Sequence, residues 1–109
     1  MAQATFVQDG ECIDYAPVAD VAAGDVVVQG DLVGVAKRDI PANTPGSLAV
    51  GGVFDFAKLA GLVLAVGTLI YWDDAANVAT NVSAGNKLLG KAVRASAAAD
   101  TTVRVRMSQ

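Results

Sequence analysis

The chain has no histidine, one cysteine, three prolines and six aromatic residues among 109 positions. Each shortage excludes something. Without histidine, the usual general base, the usual proton shuttle and the commonest transition-metal ligand are all missing. A lone Cys12 can form neither a thiolate metal centre nor an intrachain disulfide, so the fold does not depend on an oxidising compartment. Its sequence neighbours Asp9, Glu11 and Asp14 are acids, which oppose the thiolate that nucleophilic chemistry needs, so a small buried thiol is expected. Those acids have no EF-type ligand loop around them, and Asp73-Asp74, adjacent at a strand end, point apart and read as a turn. No catalytic, cofactor-binding or metal site is expected, and the chain is read as a non-enzyme.

Positive charge is also scarce. Eight Lys and Arg face eleven Asp and Glu, a formal net charge of −3, and a surface that neutralises phosphates needs the opposite surplus. A nucleic-acid partner is therefore not expected. The uncharged apolar stretch Leu59 to Trp72 has 14 residues and is interrupted by Gly61 and Gly67; a membrane span needs about 20. The N-terminus lacks the basic and apolar regions of a signal peptide. A cytoplasmic product without a membrane partner is expected.

Small and β-branched residues are abundant. The chain has 21 Ala, 17 Val and 8 Leu, and an excess of valine over leucine favours pleated strands over helices. Strand signals bounded by Gly, Asp or Asn recur every eight to fifteen residues: Thr5 to Val7, Cys12 to Ala16, Asp25 to Gln29, Leu32 to Ala36, Leu48 to Ala57, Leu69 to Trp72, Val78 to Thr80, Lys87 to Ala95 and Thr102 to Met107. Such spacing predicts an all-β fold, a sandwich or small barrel of short antiparallel strands in one domain over residues 1–109. Residues 1–10 are read as an N-terminal arm or an edge strand. Gly51-Gly52 predicts a bulge or a corner between sheets, Asp39 to Gly46 a loop, and Leu59 to Val66 at most a helical turn.

Two further patterns concern the whole chain. Ala23-Gly24-Asp25-Val26 leading to Leu32-Val33-Gly34-Val35-Ala36 is echoed by Val66-Gly67-Thr68-Leu69 leading to Leu88-Leu89-Gly90-Lys91-Ala92, which suggests a pair of related hairpins. Residues 1–56 carry eight acids and two bases, and residues 57–109 three acids and six bases. Interleaving of the strands would erase this asymmetry in space, and that is the expectation; the alternative is complementary patches that guide assembly.

Ordered segments across nearly the whole chain carry a resemblance. They are Phe6-Val7 before Gln8-Asp9-Gly10, the span Ala23 to Ala36, Gly52 to Lys58, Ala65 to Asp73, Gly85 to Ala92 and Thr102 to Arg106. Together the chain resembles the tailed-bacteriophage capsid cement, or decoration, proteins, departing at Ala57, where proline is expected before Lys58. The resemblance implies a jelly-roll-like fold on the outside of an expanded icosahedral shell, made in the host cytoplasm and clamping neighbouring major capsid subunits. It also implies a homo-oligomer, with a dimer favoured and a trimer the alternative. A β-sandwich module that binds carbohydrate or a receptor is the competing reading, and it needs an exposed aromatic platform. Partner-binding candidates are Phe6, Tyr71, Trp72, Arg104 and Arg106. Tyr71 and Trp72 point to opposite faces of one strand, so at most one fills the core; Arg104 and Arg106 share an outward face.

Overall fold

The computed structural model describes residues 3–4 and 10–109. The proposed strand Thr5 to Val7, the candidate Phe6 and most of the N-terminal arm lie outside the described residues. No helix occurs among them; Leu59 to Val66 forms a turn and a β-bridge instead.

Among the described residues, nine strands form where valine-rich segments run between turn residues: β1 (Cys12–Tyr15), β2 (Val26–Gln29), β3 (Leu32–Val35), β4 (Gly46–Ala49), β5 (Gly52–Ala57), β6 (Leu69–Asp73), β7 (Val78–Thr80), β8 (Lys87–Ala92) and β9 (Thr102–Met107). They build two antiparallel sheets, of order β1-β4-β3-β2 and β5-β9-β8-β6-β7. The stretch Leu48 to Ala57 is thus two strands in different sheets. The corner falls at Gly51-Gly52, where Gly52 has φ +100°, a conformation that costs glycine little. The edges stay open, so the architecture is a sandwich and not a closed barrel.

Both sheets follow the same path. Val21 and Ile40 exchange backbone hydrogen bonds beside the first hairpin, as Leu64 and Ser96 do beside the second. Gly24 N–H donates to Ala36 C=O as Gly67 N–H donates to Ala92 C=O, and the return bonds Ala36 to Asp25 and Ala92 to Thr68 also match. Val27 opposes Gly34 as Ile70 opposes Gly90, and Ile13 opposes Leu48 as Phe54 opposes Val105. The internal repeat is therefore a repeated four-strand motif, with β1, β4, β3 and β2 in the places of β5, β9, β8 and β6. The second copy adds β7 within its longer connection between β6 and β8.

The motifs are layered. Val33 and Val35 of β3, with Val26 and Val28 of β2 packed alongside, join Phe56, Leu64, Ile70, Trp72, Leu89, Val103, Val105 and Met107 in the main core. The opposite side of the first sheet carries a second, smaller core of Ala36, Ile40 and Leu48, against which Ile13, Tyr15, Val21 and Val27 pack. The order through the molecule is small core, first sheet, main core, second sheet, and then the outer face of the second sheet.

Because each sheet is built from one contiguous half, the strands do not interleave between sheets, and the expected cancellation of charge does not occur. Residues 10–51 hold six acids and two bases, and residues 52–109 four acids and six bases. An acidic layer is stacked on a basic one.

Candidate functional site

The outer face of the second sheet follows from strand alternation. Val103, Val105 and Met107 of β9 are buried, so Arg104 and Arg106 must emerge on the other side. Ile70 and Trp72 of β6 point inward in the same way, which turns Leu69 and Tyr71 outward. Cross-strand pairing aligns Val53 with Arg106, Arg106 with Lys91 and Lys91 with Leu69, one exposed row across four strands. The next row pairs Asp55 with Arg104.

Of the two aromatic candidates, Trp72 fills the core: it is 5% exposed, packs tilted against Phe56 with ring centroids 5.9 Å apart and donates its indole N–H to Asp74 Oδ1 at 3.2 Å. A surface-anchor role for Trp72 is corrected by this burial, since its large apolar area is already spent inside. Tyr71 is half-buried and remains at the outer face. With the one indole in the core, the sheet has no tryptophan platform of the kind a sugar site needs.

Arg104 and Arg106 share the face as expected but differ in state. Arg104 forms a two-point ion pair with Asp55, Nε to Oδ1 at 2.9 Å and Nη2 to Oδ2 at 3.2 Å, and these hydrogen bonds hold the carboxyl below its ordinary range. Arg106 has no such acid; directly opposite it stands Lys91. Neither is ion-paired among the described residues. Like charges opposite one another in a sheet are unfavourable, so this pair is not there for the fold's stability.

Lys91 escaped the reading of the sequence, although a signal was available. Aligning the internal repeat puts Lys91 at the place of Val35, a charge where the first copy has a core residue. Lys58 also escaped it. Its ammonium is buried and donates to Leu62 C=O at 2.8 Å, Ser96 Oγ at 2.9 Å and Ala97 C=O at 2.5 Å. All three donors are satisfied, so Lys58 ties two loops together.

A cavity of about 610 Å³ is an open crevice between β2 and β5 lined by Phe54, Phe56 and Trp72. Asp73 Oδ1 accepts the N–H groups of Ala75 and Ala76, the turn role expected of Asp73-Asp74. Cys12 is half-buried. Among the described residues no three His, Cys, Asp or Glu side chains are grouped to hold a metal ion, and no helix is long and apolar enough to cross a membrane.

No curated protein and no solved structure is significantly similar to the chain. The family profile of phage cement proteins, however, matches residues 7–107, nearly the whole length. The all-β sandwich, with its open cationic sheet face, thus belongs to the phage cement protein family, structural components that stabilise the virion capsid.

Proposed function

We propose that this chain is a non-catalytic cement protein that binds the exterior of an expanded icosahedral shell and clamps neighbouring major capsid subunits, acting as a homo-oligomer assembled after synthesis in the host cytoplasm. The observation that carries the reading is family membership over residues 7–107. Tyr71, Arg104 and Arg106 are the partner-binding residues on the second sheet's outer face, with Phe6, outside the described residues, as the fourth. Nucleic acid is not a partner, because the net charge is −3.

The physical logic is linkage. A ligand that binds only the expanded lattice stabilises it by about 2.7 kcal/mol per site at a hundredfold excess over Kd. Contacts to two subunits at once add the gain of effective concentration. Purified protein mixed with expanded shells lacking it, and separately with unexpanded procapsids, is expected to co-sediment with the expanded shells alone. Absence from every expanded shell would end the cement reading.

A further inference from the structure

We infer that the outer face of the second sheet is covered by the acidic side of the first sheet of another copy, so that the chain self-associates head to tail. This deepens the cement reading by naming the occupant of the sheet face, and it rests on that face being an assembly surface. The repeated motif supplies the reasoning. In the first sheet the row Cys12, Ala49, Val35 and Val26 occupies the places of Val53, Arg106, Lys91 and Leu69 in the second. The first-sheet row looks toward the second sheet, with Val35 in the main core and Val26 packed against it. Among the described residues the second-sheet row has no cover: Val53 is 54% and Leu69 46% exposed, and between them lie the two cations without ion-pair partners among those residues.

The chemistry of that row specifies an occupant that is acidic at its centre with apolar surroundings. The chain displays such a surface on the far side of its first sheet. There the loops around the small core form a cleft of about 350 Å³ lined by Asp20, Asp25 and Asp39 together with Val21, Ile40 and Pro41. Asp20 Oδ1 accepts the Ala42 N–H, Asp25 Oδ2 the Ala22 N–H and Asp39 Oδ1 the Ala23 N–H. One oxygen of each carboxylate is thereby held in place, and the other is left for a further donor. The cleft and the cationic row lie on opposite outer sides of the layered molecule, so a single copy cannot join them. A second copy can.

The chain already contains one contact of this type. Asp31, at the tip of the first hairpin, pairs with Lys87 of the second sheet at 2.7 Å, and the first sheet stacks on the inner face of the second. Repeating that stacking between molecules would place Lys91 and Arg106 of one copy at Asp20, Asp25 and Asp39 of the next. Such a contact is heterologous: it closes into a ring of more than two copies or extends as a chain, and it differs from the two-fold dimer that the family resemblance favours.

Analytical ultracentrifugation of the full chain tests this. Wild type at low salt is expected to sediment as an assembly larger than a dimer, and to dissociate in about 1 M salt, where the screening length is about 3 Å. Lys91→Glu with Arg106→Glu should be monomeric, with the contact weakened at least about tenfold, and so should Asp20→Asn with Asp39→Asn, in which the amide oxygen still accepts the loop N–H. Thermal melts close to wild type would establish that both variants are folded. Because each variant keeps the surface the other lost, an equimolar mixture should form one contact and stop at a heterodimer. A monomeric wild type at low salt, a wild-type mass for Lys91→Glu/Arg106→Glu, or a mixture of the variants that stays monomeric would overturn the inference. A Lys91→Glu/Arg106→Glu variant of wild-type mass that no longer co-sediments with shells would assign the face to the capsid, leaving the cement reading intact. Self-association without shell binding by wild type would do the reverse.

Discussion

The two four-strand motifs have the same path but not the same interior. Ile13, Tyr15, Val21, Val27, Ala36 and Leu48 in the first stand where Phe54, Phe56, Leu64, Ile70, Ala92 and Val105 stand in the second. In the second motif this side is covered both by its own loops and by the first sheet, and three aromatic rings fill the added depth. In the first it is covered by its loops, and among the described residues the buried members there are Ala36, Ile40 and Leu48. The other side of each sheet differs in the opposite sense: apolar on the first, cationic on the second. One backbone pattern thus supports two roles, because what covers each sheet determines which side chains it tolerates.

This comparison can be broken most severely at the main core. Trp72→Ala is expected to destabilise by about 3 to 5 kcal/mol, and Leu48→Ala in the smaller core by about 2 to 3 kcal/mol, because fewer packed neighbours surround the lost volume. Denaturant melts of the two variants measure the gap; equal losses would mean that the small core bears as much of the stability as the large one.

The two matched glycines sharpen the comparison further. A Cβ at Gly90 would lie 2.0 Å from Arg106 C=O, whereas one at Gly34 would lie 2.8 Å from Leu48 Cβ. Neither atom can turn away, since a Cβ is fixed by its own backbone, but the overlap at Gly34 is the smaller and needs the smaller strand shift. Gly90→Ala is expected to cost about 3 kcal/mol or more and Gly34→Ala about 1 to 2 kcal/mol, read as midpoint shifts in the same melts. Similar shifts would show that the second motif has as much slack as the first.

The smallest effect concerns acid. Hydrogen bonding and charge from Lys87 hold Asp31 below its ordinary carboxyl range, and Arg104, with a weaker contribution from Arg94, does so for Asp55. A carboxyl depressed in the folded state contributes stability that is present above its unfolded value, near pH 4, and is lost as pH falls through the folded value. Both pairs are exposed, so solvent screening keeps the contribution small. Stability measured between pH 5 and pH 2 should fall less steeply for Asp31→Asn, which breaks the pair between the sheets, and for Asp55→Asn, which breaks the pair within one sheet. An unchanged acid slope in both would remove these pairs from the account.

Much of the fold was legible because strand signals are local. The alternation of Val103, Val105 and Met107 with Arg104 and Arg106 located β9 and its two faces without tertiary information. Gly51-Gly52 marked the corner, since few other residues permit one there. Lys87 to Ala95 was read too long: the strand ends at Ala92, and Val93 turns away to bond Arg104 C=O. For the site, Arg104 and Arg106 were legible as an outward pair, but not that Asp55 neutralises one and leaves the other, since 49 residues separate Asp55 from Arg104.

The sequence by itself determined that the protein is all-β, that its halves carry opposite charge balances and that it has no histidine and a single cysteine; each follows from residue identity and local spacing. Only the tertiary structure decided that each half forms its own sheet, so that the charge imbalance survives as two layers. It also decided that Trp72 lies inside while Tyr71 faces out, and that Lys91 meets Arg106 across the exposed sheet. Alternation divides a strand's side chains between two faces, but which face is buried depends on what packs against it, and that partner comes from elsewhere in the chain.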